Sequence, residues 1–160
     1  MPEIKKSSRH SKITGDFAEG LVLYWLSKHG FESARIDHTG IDLIARNPVT
    51  NELMGISVKS RSRYKGTEKE SLGISNDNFK KIEEACQTFG CKPYFALLVD
   101  ADNSFTIFIL SKDKLLKLYP MGKSQSAWRM GAADLPKYKA DKDIIIIEFK
   151  YNTHSWWAKK

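Results

Sequence analysis

Glu19, Asp42 and Lys59 are the side chains of this sequence whose types and settings could do chemistry together. Asp42 follows Gly40-Ile41 and precedes Leu43-Ile44-Ala45. A carboxylate within so apolar a strand costs free energy unless it is paired or holds a cation. Downstream runs Ile56-Ser57-Val58-Lys59. The period of two puts Ser57 and Lys59 on one sheet face and Ile56 and Val58 on the other. If the two strands form a hairpin, Asp42 reaches the Ser57/Lys59 face, and the Val58 carbonyl is available as an oxygen ligand. On a helical wheel Glu19 lies beside Val22 and Leu26, at the margin of an apolar stripe, where it can project over the sheet. Asp42, Glu19 and a carbonyl are hard oxygen ligands suited to Mg²⁺, or to Mn²⁺, with several waters retained. A water so activated, with a lysine beside it, is equipped to attack a phosphodiester.

Each residue also has a plainer role open to it. Lys59 could be the solvated end of a strand, Asp42 a turn-closing acceptor for a backbone N–H, and Glu19 an exposed helix acid. Those roles do not predict that all three converge on one face. Around them lie cations: Lys5, Lys6, Arg9 and Lys12 before the first helix, and Arg61, Arg63, Lys65 and Lys69 after Lys59, with Tyr64 among them. Solvation explains such runs, but their position beside the acidic pair suits phosphate contact, which positions a backbone without reading sequence. Cys86 and Cys91 read as free thiols. No two of His10, His29, His38 and His154 stand at metal-ligand spacing, although His38 is near Asp42. Trp128, Trp156 and Trp157 suit a core or a dimer interface better than base stacking.

The elements that must position these groups follow from periodicity. Phe17, Ala18, Leu21, Val22, Trp25 and Leu26 form a helical stripe beginning near Thr14, with Thr14 or Asp16 as N-cap and Gly30 as terminator. Strands are expected over 31–37, 41–46 and 53–60, joined by gaps so short that only antiparallel hairpins fit. Residues 61–75 read as a loop. A second helix, capped by Ser75, Asn76 or Asp77, buries Phe79, Ile82, Ala85, Cys86 and Phe89 and stops at Gly90. Residues 94–99 are continuously apolar, as in a central strand covered on both faces. A strand over 105–110, a short helix capped by Ser111 and running through Leu118, an irregular stretch over 121–142 and a strand over 144–149 complete the chain. A mixed sheet with helices on both faces is the natural packing.

The stretch from Gly15 to Arg63 resembles the PD-(D/E)xK nuclease superfamily, especially the branch of Holliday-junction resolvases and some restriction or homing endonucleases. The matching residues are Gly15-Asp16-Phe17-Ala18-Glu19, Gly40-Ile41-Asp42 and Ser57-Val58-Lys59-Ser60-Arg61. The order of elements to about residue 100 agrees. The resemblance implies an α/β fold with a restriction-endonuclease-like core: a central mixed β-sheet flanked by helices in αβββαβ order, with extra C-terminal strands. It implies catalytic Glu19, Asp42, Ser57 and Lys59, metal held by Asp42, Glu19 and Val58, and DNA, duplex or branched, as partner, in a possible homodimer. The sequence departs from the pattern at Ser57, where an Asp or Glu normally precedes the lysine by two positions. Glu19 is the best substitute acid, since Glu52 falls in a turn and Asp37 ends a strand. A metal-dependent DNA endonuclease is therefore expected. The alternative is a degenerate nuclease-fold module that binds nucleic acid or a protein without cutting.

Composition bounds the rest. The 160 residues include 26 Lys+Arg and 19 Asp+Glu, a net charge of +7, with 41% hydrophobic and 28% charged residues. That length suits one nuclease-like domain over 1–160, divided into a basic arm (1–12), a core (13–110) and a C-terminal elaboration (111–160). No run of 18 apolar residues offers a membrane span. Two cysteines are too few for a disulfide framework, and a cytoplasmic protein with no membrane partner is expected.

Overall fold

The structure is a computed structural model and describes residues 5–101 and 103–152. Helix α1 (His10–Lys28) buries the i, i+4 row Thr14, Ala18, Val22 and Leu26. It starts earlier than the sequence suggests, with Arg9 at the N-cap and no side-chain cap. Thr14 lies inside the helix, its hydroxyl donating to the His10 carbonyl at 2.7 Å. Asp16 faces Lys12 one turn back at 3.3 Å. The last residues of the expected arm therefore belong to the helix. The apolar stripe is also narrower than expected, because Phe17 stays 44% exposed.

Strands β1 (Glu32–His38), β2 (Ile41–Arg46) and β3 (Leu53–Ser62) form the expected antiparallel meander. The chain then passes through β4 (Leu72–Ser75) and helix α2 (Asn76–Phe89) into β5 (Lys92–Ala101). Strand β5 runs parallel to β3, from Met54 opposite Lys92 to Ser62 opposite Asp100. Strand β6 (Ser104–Ser111), helix α3 (Lys112–Leu118), strand β7 (Gln125–Trp128), helix α4 (Leu135–Lys139) and strand β8 (Ile145–Lys150) follow. The main sheet has the order β1-β2-β3-β5-β6-β8.

Two cores cover its faces. Under α1 lie Leu43, Ala45, Met54, Ile56, Ala96, Leu98, Ile107 and Ile109. Under α2 lie Phe79, Ile82, Ala85 and Cys86 against Phe95, Leu97, Val99, Phe108 and Leu110. Strand β5 supplies alternate residues to both, which is why its sequence is continuously apolar. Helix α2 is capped by Ser75, whose hydroxyl accepts from the Asn78 N–H, and ends at Gly90 in the left-handed conformation.

Three expectations are corrected. Residues 61–75 are not all loop: β3 continues to Ser62, and β4 pairs antiparallel with β7, Leu72 opposite Trp128 and Ile74 opposite Ser126. The stretch 121–142 is accordingly not irregular throughout, since it contributes β7 and α4. Four-residue strands are too short to show a period, and their pairing joins segments about fifty residues apart, so the sequence carried little local signal. Phe89 is 41% exposed rather than core, its ring meeting His38 edge-on with centroids 5.0 Å apart. Trp128 does enter a core, stacked on Tyr138 at 4.2 Å and against Phe108 at 5.2 Å. His154, Trp156 and Trp157 lie outside the described residues. Among the described residues no helix is long and apolar enough to cross a membrane.

Candidate active site

Asp42 is the second residue of β2 and is placed by the turn before it. Gly40 has φ +98°, and a Cβ there would collide with the Lys81 carbonyl of α2. Only glycine lets the β1–β2 turn tuck against that helix. The β2–β3 ladder stops at Leu43 opposite Ile56. Asp42 lies beyond it, and its Oδ2 accepts a hydrogen bond from the Val58 N–H at 2.6 Å. The side chain thus takes the place of a ladder acceptor and is stapled to the strand that carries Lys59. The plainer role open to Asp42, as an acceptor for a backbone N–H, is realised, and it brings the carboxylate to the site instead of away from it.

Ser57 and Lys59 stand on the α2 side of β3, opposite Phe95 and Leu97 of β5. Ser57 is 3% exposed. Lys59 is half-buried; burial pulls its ammonium below the ordinary lysine pKa, the charge of Asp42 opposes this, and Arg61 and Lys81 add to the lowering. Ile56 and Val58 pack in the α1 core, as alternation requires.

Glu19 approaches from α1, on the other face. Its carboxylate is held above the ordinary range by burial and by the negative charge of Asp42, with Arg35 acting against both. The Arg35 Nη1 lies 3.8 Å from Glu19 Oε2. The three residues therefore do not rise from a single face as the sequence suggested. Asp42 is the neighbour that Glu19 and Lys59 share, each electrostatically coupled to it.

Among the described residues no three His, Cys, Asp or Glu side chains gather as a metal site. An ion here would have two carboxylates, and the rest of its shell would come from the Val58 carbonyl, water and an anionic substrate. That donor set is all hard oxygen. It fits Mg²⁺ or Mn²⁺, which bind through one or two carboxylates plus phosphate oxygens.

The surrounding cations differ in how free they are. Lys5, Arg9 and Lys65 are exposed. Lys12 pairs with Asp16. Lys6 donates to the Ser62 carbonyl at 2.6 Å and sits over the Tyr64 ring at 3.9 Å. Arg61 is exposed and donates to the Ser60 carbonyl at 2.7 Å and, more weakly, to the Gly73 carbonyl at 3.4 Å. Arg63 is the most committed: its guanidinium, 13% exposed, donates to the Ser71 carbonyl at 2.8 Å and pairs with Glu70 at 3.3 Å.

Several neighbours escaped the sequence reading. Arg35 gave no signal beyond being a charged strand residue. A chain of hydrogen bonds runs from His10 Nε2 to Ser62 Oγ (2.8 Å) and from Ser62 Oγ to Asp100 Oδ2 (2.8 Å). Asp100 Oδ1 also accepts the Arg63 N–H at 2.8 Å. This chain ties the start of α1 to the ends of β3 and β5, and nothing in local spacing announces it.

No family model matches the sequence, and no curated protein does. Among solved structures, the chain is similar to Hjc, a Holliday junction resolvase from the archaeal hyperthermophile Archaeoglobus fulgidus. The identity is 19%, the match covers 77% of this chain and 93% of that one, and the TM-score is 0.56. At that identity the likeness is one of fold: a central mixed sheet flanked by helices, of restriction-endonuclease-like type.

Proposed function

We propose that this chain is a metal-dependent DNA endonuclease that hydrolyses phosphodiester bonds in duplex or branched DNA. The observation that carries the reading is the sharing of Asp42 by Glu19 and Lys59, with Asp42 fixed on the Val58 peptide. A carboxylate whose ionisation is made costlier by burial and by the Asp42 charge beside it, next to a partly desolvated lysine, gains most from a divalent cation and an anionic substrate. The similarity to a Holliday junction resolvase supports a branched DNA substrate.

In this reading Asp42 and Glu19 hold Mg²⁺ or Mn²⁺ together with the Val58 carbonyl. The ion, when bound, neutralises phosphate charge and makes water acidic enough to supply the nucleophile. The Val58 N–H fixes one oxygen of Asp42, so the other keeps a set direction. Lys59 stabilises negative charge on the phosphate and orients water at its Nζ. Its lowered pKa lets it exchange a proton more readily than a solvated lysine. Arg35 offsets charge at Glu19 before any ion arrives. Ser57 contributes a hydroxyl, not a charge, where related nucleases carry an acid.

The test is incubation of the purified protein with supercoiled, linear and four-way-junction DNA, with Mg²⁺, with Mn²⁺ and with chelator. Cleavage that needs the metal and is lost in Asp42→Ala and Lys59→Ala supports the proposal. One observation favours a second reading: Ser57 is buried and brings no negative charge. A module that binds nucleic acid or a protein without cleavage would give salt-sensitive DNA binding, or none, and no product. Cleavage gained in Ser57→Glu would place the missing acid as the cause.

A further inference from the structure

A cleft of about 570 Å³ opens between the first turn of α1 and the end of β3, and runs directly to Lys59. One wall carries Ser7, Ser8 and Ser11, and the other carries Lys59, Ser60 and Arg61. Lys6 and His10 also line it, and no Asp or Glu does. Apart from Val58 the surface is thus made of hydroxyls and cations, with no carboxylate in its lining, the chemistry of a phosphodiester receptor whose donors are short. A second large cavity shows the contrast. At about 490 Å³ it is lined by Lys92, Lys114 and Lys142, but also by Asp143. Lys114 there pairs with Asp141 at 2.5 Å and Asp143 at 3.6 Å, and Lys92 with Glu52 at 3.5 Å. Its positive charge is largely spent internally.

The walls of the first cleft are held at a fixed separation. Ser62 donates to Asp100, so its oxygen receives the proton of His10 Nε2, which fixes the tautomer of that imidazole. Thr14 spends its own proton on the His10 carbonyl. Lys6 closes the outer end by reaching across to the Ser62 carbonyl. The two bonds that span the cleft, His10 to Ser62 and Lys6 to Ser62, join residues 52 and 56 positions apart, so the cleft is built by the fold.

We propose that this cleft is a subsite for one backbone phosphate of the substrate strand, next to the phosphate that is cut. The proposal rests on the nuclease reading for its place on the substrate, and it names α1's first turn as the grip. Ser11 and Ser8 donate to the non-bridging oxygens, Arg61 and Lys6 supply charge, and the contact carries no base preference.

The test uses the full chain with a four-way junction in chelator, so that binding is read without cleavage. Ser11→Glu puts a negative charge on an exposed wall position without disturbing the core, and Ser27→Glu, exposed near the other end of α1, is the control. Ser11→Glu is expected to weaken binding about tenfold and to flatten the plot of log affinity against log salt by about one contact, with Ser27→Glu unchanged. A junction carrying a neutral methylphosphonate at one linkage beside the cut should bind the native protein more weakly and Ser11→Glu no more weakly still. Equal affinity and slope for Ser11→Glu and the native protein would overturn the subsite, as would equal methylphosphonate losses in both. If the protein binds no DNA, the nuclease reading falls separately, and inorganic phosphate with NMR detection tests the cleft itself. Amide shifts confined to residues 7–11 and 59–62 would keep an anion site there, and their absence would remove it.

Discussion

Glu19 and Lys59 are both held in charge states the fold does not favour, and that has measurable consequences. The Glu19 carboxylate has its pKa raised by burial and by Asp42, so ionising it weakens the folded state. The penalty is absent below its ordinary value of 4.5 and grows as pH rises through the higher folded value. Glu19→Gln should therefore raise the melting temperature at pH 7 by about 1–3 °C, a gain that disappears in a scan below pH 4. It should at the same time weaken any divalent-metal dependence of cleavage. Lys59 is shifted the opposite way, with its pKa lowered chiefly by burial. Its penalty is full below the lowered folded value and lifts as pH climbs from there toward 10.5. Lys59→Met should melt no earlier than the native protein at pH 7, while cleavage falls at least about 100-fold. Such a cost in stability is what the proposed chemistry would demand of these side chains. Asp42→Asn would retain the acceptor for the Val58 N–H, so a folded but inactive protein separates its two roles.

At the scale of elements, turns and caps decide whether those side chains meet. Gly40→Ala forces a methyl into the Lys81 carbonyl at a positive φ. It should destabilise by about 2–4 kcal/mol in urea unfolding and reduce activity by displacing Asp42. Ser75→Ala removes the cap of α2 and should cost about 1 kcal/mol with the site intact. Much at this scale was legible beforehand. The bounds of β2 and α3, the Ser111 cap, whose side chain accepts from the Lys114 N–H, and the two-sided burial of β5 all follow from period and punctuation, while Ser75 was one of three candidate caps for α2. The pairing of Asp42 with β3 was legible as a hairpin. What stayed hidden involves distant partners: β4 with β7, Ser62 with Asp100, and His10 with Ser62. The start of α1 was missed because Thr14 resembles a cap in sequence while its hydroxyl bonds back within the helix. Glu19 was placed at the stripe's margin correctly, but no wheel reveals which edge of the sheet it reaches.

The whole molecule sets one sheet between two unlike cores, and its later half closes the second. Trp128 is fully buried and packed on Tyr138, Phe108 and Tyr119. Trp128→Ala should cost about 3–5 kcal/mol, read as a shifted denaturant midpoint. Unfolding should stay cooperative, because β7 is joined to α2 through β4. Gly55 shows how tightly the two halves meet: a Cβ there would lie 2.6 Å from the sulfurs of both Cys86 and Cys91. Burial raises the Cys86 thiol to about 12, with Cys91 beside it adding to the shift, so Cys86 should resist alkylation at pH 8 until the protein unfolds. The parallel pairing of β3 with β5 carries a last consequence, for the order of synthesis. Glu19, Asp42 and Lys59 all leave the ribosome early, yet the α2 face of β3 has no cover, and its far edge no partner, until about residue 101 has emerged. Closing so long a loop is slow compared with forming the local hairpins. The nascent chain therefore carries Glu19, Asp42 and Lys59 before their surroundings exist, and the site is completed only once the strand beyond α2 has docked.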